Sequence, residues 1–217
     1  MAEQSDRRPI AARETRPAAM LAARLIQAGA SPDAISLGGM VAGIGAGLAL
    51  ACIAWTPGAA RPLWLLAALL VQFRLLANLL DGMVAIGRGV ASARGELFNE
   101  VPDRVSDSAV LVGLGIAAGM PWLGLAAALA AMATAYVRAV GRSAGAPSEF
   151  CGPMAKQHRM ALITALALWC ALTPHAWRPA ILGLGHEAWV LVAITLLSLV
   201  TAWRRLARIA RALDRAA

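Results

Sequence analysis

Apolar residues along the chain fall in six runs, separated by short polar or basic stretches. The first, Ala34 to Trp55, carries no charged residue, and the second, about Pro62 to Leu80, is interrupted only by Arg74. The third, about Phe98 to Gly119, carries acidic residues in its first turns. After a turn at Gly119-Met120-Pro121, a fourth runs to about Val137. The fifth covers about Met160 to Pro174 and the sixth Glu187 to Trp203. About 20 predominantly apolar residues cross a bilayer as a helix, so the pattern predicts an all-α, polytopic membrane helix bundle of about six transmembrane helices. Ahead of them, Arg16 to Ala28 reads as a basic amphipathic interfacial helix. Arg16 and Arg24 would lie over headgroups, with Met20, Leu21 and Leu25 against the acyl boundary; a plain tail helix is the alternative. Ser31-Pro32-Asp33 supplies an N-cap followed by proline at the first helical position.

Composition agrees with a lipid solvent. Of the 217 residues 59% are hydrophobic and 15% charged, whereas roughly half apolar is already typical of a soluble domain. The net charge of +8 comes without a recognition motif for nucleic acid, so no nucleic-acid partner is expected. Of the 20 basic residues, all but Arg61, Arg74 and Arg178 fall in the N-terminal segment, the 84–104 and 138–159 segments or the C-terminal segment. Basic residues favour the cytoplasmic side, which puts both termini there and makes the chain an integral protein of the cell (inner) membrane. The division expected is a cytoplasmic tail over 1–16, a transmembrane domain over 17–205 and a basic cytoplasmic tail over 206–217. Met1 to Arg16 is charged and lacks a signal-peptide pattern, so it reads as a retained tail. Trp55, Trp64, Trp122 and Trp177 then fall near the outer ends of the spans and Trp203 near the inner interface, as interfacial belt residues do. Cys52, Cys151 and Cys170 show no CxxC spacing, and the two within apolar runs read as small buried hydrophobes. Gly39, Gly43 and Gly47, four apart, form a stripe that lets a second helix approach closely.

The chemistry concentrates in Asn78 to Asp107. Asn78 and Asp81 share a face near the inner end of the second span, and Asn99, Asp103 and Asp107 form a stripe on the third. Gly87, Gly89 and Gly95 lie between them and permit close backbone approach. Two antiparallel helix ends would converge several oxygen donors at the cytoplasmic interface, a set that suits Mg²⁺ or Mn²⁺ together with substrate phosphates. A structural reading stands beside this one: Asn99 as a helix N-cap with Glu100 and Asp103 facing the dipole, and the acids paired with arginines. By helical rise Asp107 lies about 6 Å deeper than Asp103 and Arg74 about 10 Å deeper than Asp81, so Arg74 and Asp107 are placed to form an internal ion pair.

This segment resembles the signature of the CDP-alcohol phosphotransferases, D-x-x-D-G-x-x-A-R-x8-G-x3-D-x3-D. Asp81, Gly82, Ala85, Gly95 and Asp103 fall at the required spacing, while Asn78, Ile86 and Asn99 stand where the signature has Asp, Arg and Asp. The resemblance implies transfer of a phosphatidyl group from a CDP-linked donor, with CDP-diacylglycerol the expected one, to a small alcohol acceptor with release of CMP, in phospholipid biosynthesis. It also implies Mg²⁺ or Mn²⁺ as cofactor and a homodimer. Carried over by position, Asp103 is the general base and a metal ligand, Asp81 the main metal ligand, and Asn78 and Asn99 neutral oxygen ligands. Gly82, Ala85 and Gly95 would let the nucleotide approach. Glu100 would restore a lost negative charge to the metal shell, and Arg88 or Arg94 would stand in for the arginine missing at Ile86. In the second basic segment Arg138, Lys156 and Arg159 would bind a phosphate of acceptor or donor; ordinary inward-facing charge accounts for them equally, with Arg142 and His158 beside them. His175 and His186 fall in the outer loop. A catalytically inactive relative that binds CDP-lipid or a partner enzyme remains open because of Asn78, Ile86 and Asn99, as does a small transporter. The acceptor alcohol is not legible.

Overall fold

The structure is a computed structural model describing residues 15–90, 92–178 and 180–215. Most of the expected N-terminal tail and the Arg94 side chain lie outside the described residues. Among those described, the chain forms seven α-helices: α1 Arg16–Gln27, α2 Pro32–Cys52, α3 Ala60–Gly87, α4 Ala93–Ala117, α5 Pro121–Ser143, α6 Lys156–Leu172 and α7 His186–Asp214. Four of them, α2, α3, α5 and α7, are long and apolar enough to cross a membrane. The other two from the expected six differ for visible reasons. Helix α6 has 17 residues, and the first fifteen residues of α4 carry Glu100, Asp103, Arg104 and Asp107. The outward faces are apolar, with Leu48, Leu69, Leu129 and Leu196 each more than half exposed, the arrangement of a bundle solvated by lipid.

Local signals set the helix ends. Ser31 caps α2 by accepting from the Ala34 N–H at 3.2 Å. Helix α3 continues beyond the apolar run through Asn78 and Asp81 to Gly87 and ends where Gly89 takes φ +66°, a left-handed conformation that costs glycine little. Helix α4 begins about a turn and a half before its apolar run, because Ser92 accepts from the Gly95 N–H at 3.1 Å. Asn99 therefore lies inside the helix and is not its cap. Helix α7 runs on through the basic residues to Asp214, since Arg, Ala and Leu all favour helix.

Packing brings the polar faces together. Helix α2 lies against both α3 and α4, α5 pairs with α7 and α4, and α6 lies against α3. The glycine stripe makes the first of these contacts close: a Cβ at Gly43 would strike the Ser106 side chain, and one at Gly47 the Ala109 carbonyl. Along α1, Ala18 and Ala22 are buried, and Met20 is exposed, with α3 as its neighbour in the bundle. Trp55, Trp122, Trp177 and Trp203 are exposed as expected of belt residues, but Trp64 is 2% exposed and belongs to the core. Cys170 is buried whereas Cys52 is exposed.

Candidate active site

The C-terminal part of α3, the N-terminal halves of α2 and α4 and the first residue of α6 meet at one end of the bundle. Helical spacing puts Arg74, Asn78 and Asp81 along one side of α3, and Asn99, Asp103, Ser106 and Asp107 along one side of α4. The thin glycine face of α2 lets these rows close on each other. A cavity of about 10 Å³, the size of one water molecule, is lined there by Ser36, Arg74, Asn78, Asp81, Asn99 and Asp103 among others.

The four signature positions form one hydrogen-bonded group. Asn78 Nδ2 donates to Asn99 Oδ1 at 3.0 Å and to both Asp103 carboxylate oxygens at 3.1 Å. Asn99 Nδ2 donates to Asp81 Oδ2 at 3.1 Å, which also accepts from Ser36 Oγ at 2.6 Å. The Gly82 N–H donates to Asp81 Oδ1 at 2.5 Å. Lys156 reaches in from α6: its Nζ donates to Asn78 Oδ1 at 2.5 Å and pairs with Asp103 Oδ2. One helical turn deeper a second group is built around charged side chains. Arg74 Nη2 meets Asp103 Oδ1 at 3.1 Å and Asp107 Oδ1 at 2.5 Å, and Arg74 Nε donates to Ser106 Oγ at 2.7 Å. On its other side Asp107 meets Arg159 Nη2 at 3.3 Å. The Arg74–Asp107 pair expected from helical rise is thus present, with Arg159 as a third member.

Other candidate residues are engaged elsewhere. Glu100 does not enter the cluster: its carboxylate meets Arg138 at 2.5 Å and Arg104 at 3.2 Å, because on a helix a residue next to Asn99 points about 100° away. Arg138 also lies over the Phe150 ring at 5.4 Å. Arg88 donates to the Gly29 and Ala30 carbonyls at 3.3 and 2.7 Å, tying the α1–α2 junction to the end of α3. Arg159 is buried and donates to the Met154 carbonyl at 2.9 Å, so it is turned inward, away from any ligand at the rim. His158 Nδ1 lies 2.8 Å from the Pro153 carbonyl oxygen. Gly95 is spent in the α4 cap, and Ala85 lies part-buried on α3. Ser36 and Ser106 were not anticipated. Ser36 is the polar residue three places before Gly39 on the face that carries the stripe, and that spacing is its sequence signal.

No family model matches the chain, and no curated protein sequence does. Solved structures do. The Mycobacterium tuberculosis phosphatidylinositol phosphate synthase with CDP-diacylglycerol bound superposes with a TM-score of 0.72 at 21% identity, covering 90% of this chain and 94% of that one. The same synthase in complex with manganese and citrate gives 0.70 at 22%, covering 88% of each chain. Its apo form gives 0.64 at 22%, covering 86% of this chain and 92% of that one. The fold is shared with that synthase.

The donor set here does not fit a divalent ion. Among the described residues no three His, Cys, Asp or Glu side chains are gathered as metal ligands would be. The carboxylate and amide oxygens of Asn78, Asp81, Asn99 and Asp103 each already accept a hydrogen bond, and one of the donors is the Lys156 ammonium. A hard cation held by oxygen ligands would have to displace that ammonium or bear its repulsion.

Proposed function

We propose that the chain is a membrane phosphotransferase of the CDP-alcohol phosphotransferase type, taking a CDP-linked lipid, CDP-diacylglycerol being the expected donor, and passing its phosphatidyl group to a small alcohol. The observation that carries this reading is the convergence of Asn78, Asp81, Asn99 and Asp103 from two helices into one partly buried group. That group lies in a fold shared with a synthase whose structure holds CDP-diacylglycerol. In this reading α4 and α6 complete six crossings over residues 17–205, and the cluster faces the cytoplasm because the basic segments gather at its end of the bundle. A homodimer is the expected assembly.

The chemistry asked of the chain is modest. The acceptor hydroxyl oxygen attacks the phosphorus that carries the diacylglycerol, the bond from that phosphorus to the CMP oxygen breaks, and CMP leaves with the electron pair. The hydroxyl proton passes to Asp103. Arg74 and Asn78 hold the Asp103 carboxylate in place, and Ser36, Asn99 and the Gly82 N–H do the same for Asp81. The cavity beside them admits a water and no nucleotide, so the CDP moiety lies at the rim, over the α3–α4 connection. A second reading, a relative that binds CDP-lipid without turning it over, is favoured by one feature: both Asp103 oxygens are engaged by cations and an amide, so the carboxylate takes up a proton only by releasing one of them.

The test is CMP release from CDP-diacylglycerol by purified protein against a panel of acceptor alcohols, with Asp81→Asn and Asp103→Asn alongside. Acceptor-dependent CMP formation that both substitutions abolish is the expected result. CDP-lipid binding without turnover for every acceptor would replace the first reading by the second.

A further inference from the structure

Relative to the signature, Asn78 and Asn99 remove two negative charges, and the amides do more than leave a gap. Their N–H groups point into the cluster: Asn78 Nδ2 serves Asp103 and Asn99, and Asn99 Nδ2 serves Asp81. The oxygens that would face a cation are bridged to one another instead. The positive charge in contact with Asn78 and Asp103 is the ammonium of Lys156.

Lys156 is held there, and its surroundings are those of a positioned residue. It opens α6, which α3 fixes through Gln72 Nε2 donating to Thr164 Oγ1 at 2.8 Å. The segment leading into it is anchored on α7. The Arg205 Nε donates to the Cys151 carbonyl at 3.0 Å, and the Met154 N–H donates to Thr201 Oγ1 at 2.9 Å. Gly152 lies so close to Thr201 that a Cβ would collide with it. The side chain keeps 19% exposure against 1% for Arg74 and Arg159, so of these cations Lys156 is the one open to the rim.

We propose that Lys156 Nζ takes the place of a divalent cation, so that this site receives the diphosphate of a CDP-linked lipid without added metal. The inference rests on the proposed function for its ligand. With two signature carboxylates replaced by amides and an ammonium in contact with the cluster, a site that would otherwise repel a diphosphate in the absence of metal becomes one that attracts it. A phosphate oxygen competes for Lys156 with Asp103 Oδ2, and the ammonium moving onto the diphosphate releases that oxygen at the moment the acceptor hydroxyl needs a proton acceptor.

The experiment uses the full-length protein in detergent. Radiolabelled CDP-diacylglycerol binding is measured in EDTA and in Mg²⁺, and Mn²⁺ binding is followed by the EPR signal of the free ion. The expected result is CDP-diacylglycerol affinity equal in EDTA and Mg²⁺ within about twofold, with no Mn²⁺ taken up. Lys156→Met should weaken binding in EDTA by about tenfold or more, the order expected for a charge-assisted contact, while Lys156→Arg retains it and controls for folding. The triple change Asn78→Asp, Asn99→Asp, Lys156→Met should gain Mn²⁺ binding and make lipid binding depend on it. Wild-type binding that EDTA abolishes, or Mn²⁺ uptake by the wild type, overturns the inference and leaves the proposed function standing. No CDP-diacylglycerol binding under any condition overturns the proposed function, and the inference with it.

Discussion

Asp103 and Asp107 stand one turn apart on the same side of α4, both almost fully buried, yet their surroundings differ in kind. Asp107 is enclosed between Arg74 and Arg159, two arginines that are each 1% exposed. Asp103 shares Arg74 but otherwise meets Asn78 and the partly exposed Lys156 and Arg104, groups that can exchange partners with a ligand. A buried ion pair loses heavily if one member is removed, because the other is left charged and unpaired. When Asp103 is altered, its partner Lys156 is partly exposed and can turn to solvent. Depth on one helix face thus separates a residue that holds the bundle together from the one to which the proposed function gives the chemistry, although the two are the same amino acid in the same stripe.

Breaking the deeper member should have the largest effect on folding. Asp107→Ala leaves the buried Arg159 without its carboxylate and Arg74 with Asp103 alone, and the expected loss is about 3–5 kcal/mol, read as a lower apparent melting temperature in detergent. Asp103→Asn should act on turnover instead. It keeps an acceptor for Arg74 and Asn78 but no base, so CMP release should fall by about 10²-fold or more, with an apparent melting temperature close to wild type. Gly47→Leu tests what brings the two helices together. Its side chain meets the Ala109 carbonyl on α4, and overpacking of this kind costs about 1–3 kcal/mol, visible as a lowered melting temperature together with weakened CDP-lipid binding. Glu100→Gln should do least. It removes pairs with Arg104 and Arg138 around a carboxylate that is 38% exposed, a loss of about 0–1 kcal/mol, and should leave CDP-lipid binding unchanged.

Much of this arrangement was legible in the sequence, for reasons that also mark the limits. The helices could be placed because apolar runs of spanning length are a strong pattern, and the Arg74–Asp107 pair followed from helical rise alone. Helix ends were less legible where a charged residue continues a helix that its hydropathy would end, as at Asp81 in α3 and Arg204 in α7. The alternative that made Asn99 a helix N-cap fails for the same reason, since the cap is Ser92 and charged turns precede the apolar part of α4. Trp64 was assigned to the interface from its position near a span end, but rotation about the helix axis turns it into the core. Contacts between elements distant in sequence were the least accessible. Nothing in the order of residues says that Lys156 meets Asn78, 78 positions away, and Glu100 was placed with the cluster only by adjacency to Asn99.

The contrast between the two aspartates is tested most directly by measuring the apparent melting temperature of Asp103→Asn and Asp107→Asn side by side, with and without CDP-diacylglycerol. The account predicts that Asp107→Asn melts well below wild type and is still stabilised by the lipid, whereas Asp103→Asn melts near wild type and keeps a lipid-induced shift at least as large, because Lys156 is freed from the carboxylate. Equal destabilisation of both variants, with the lipid shift lost in Asp103→Asn, would contradict it.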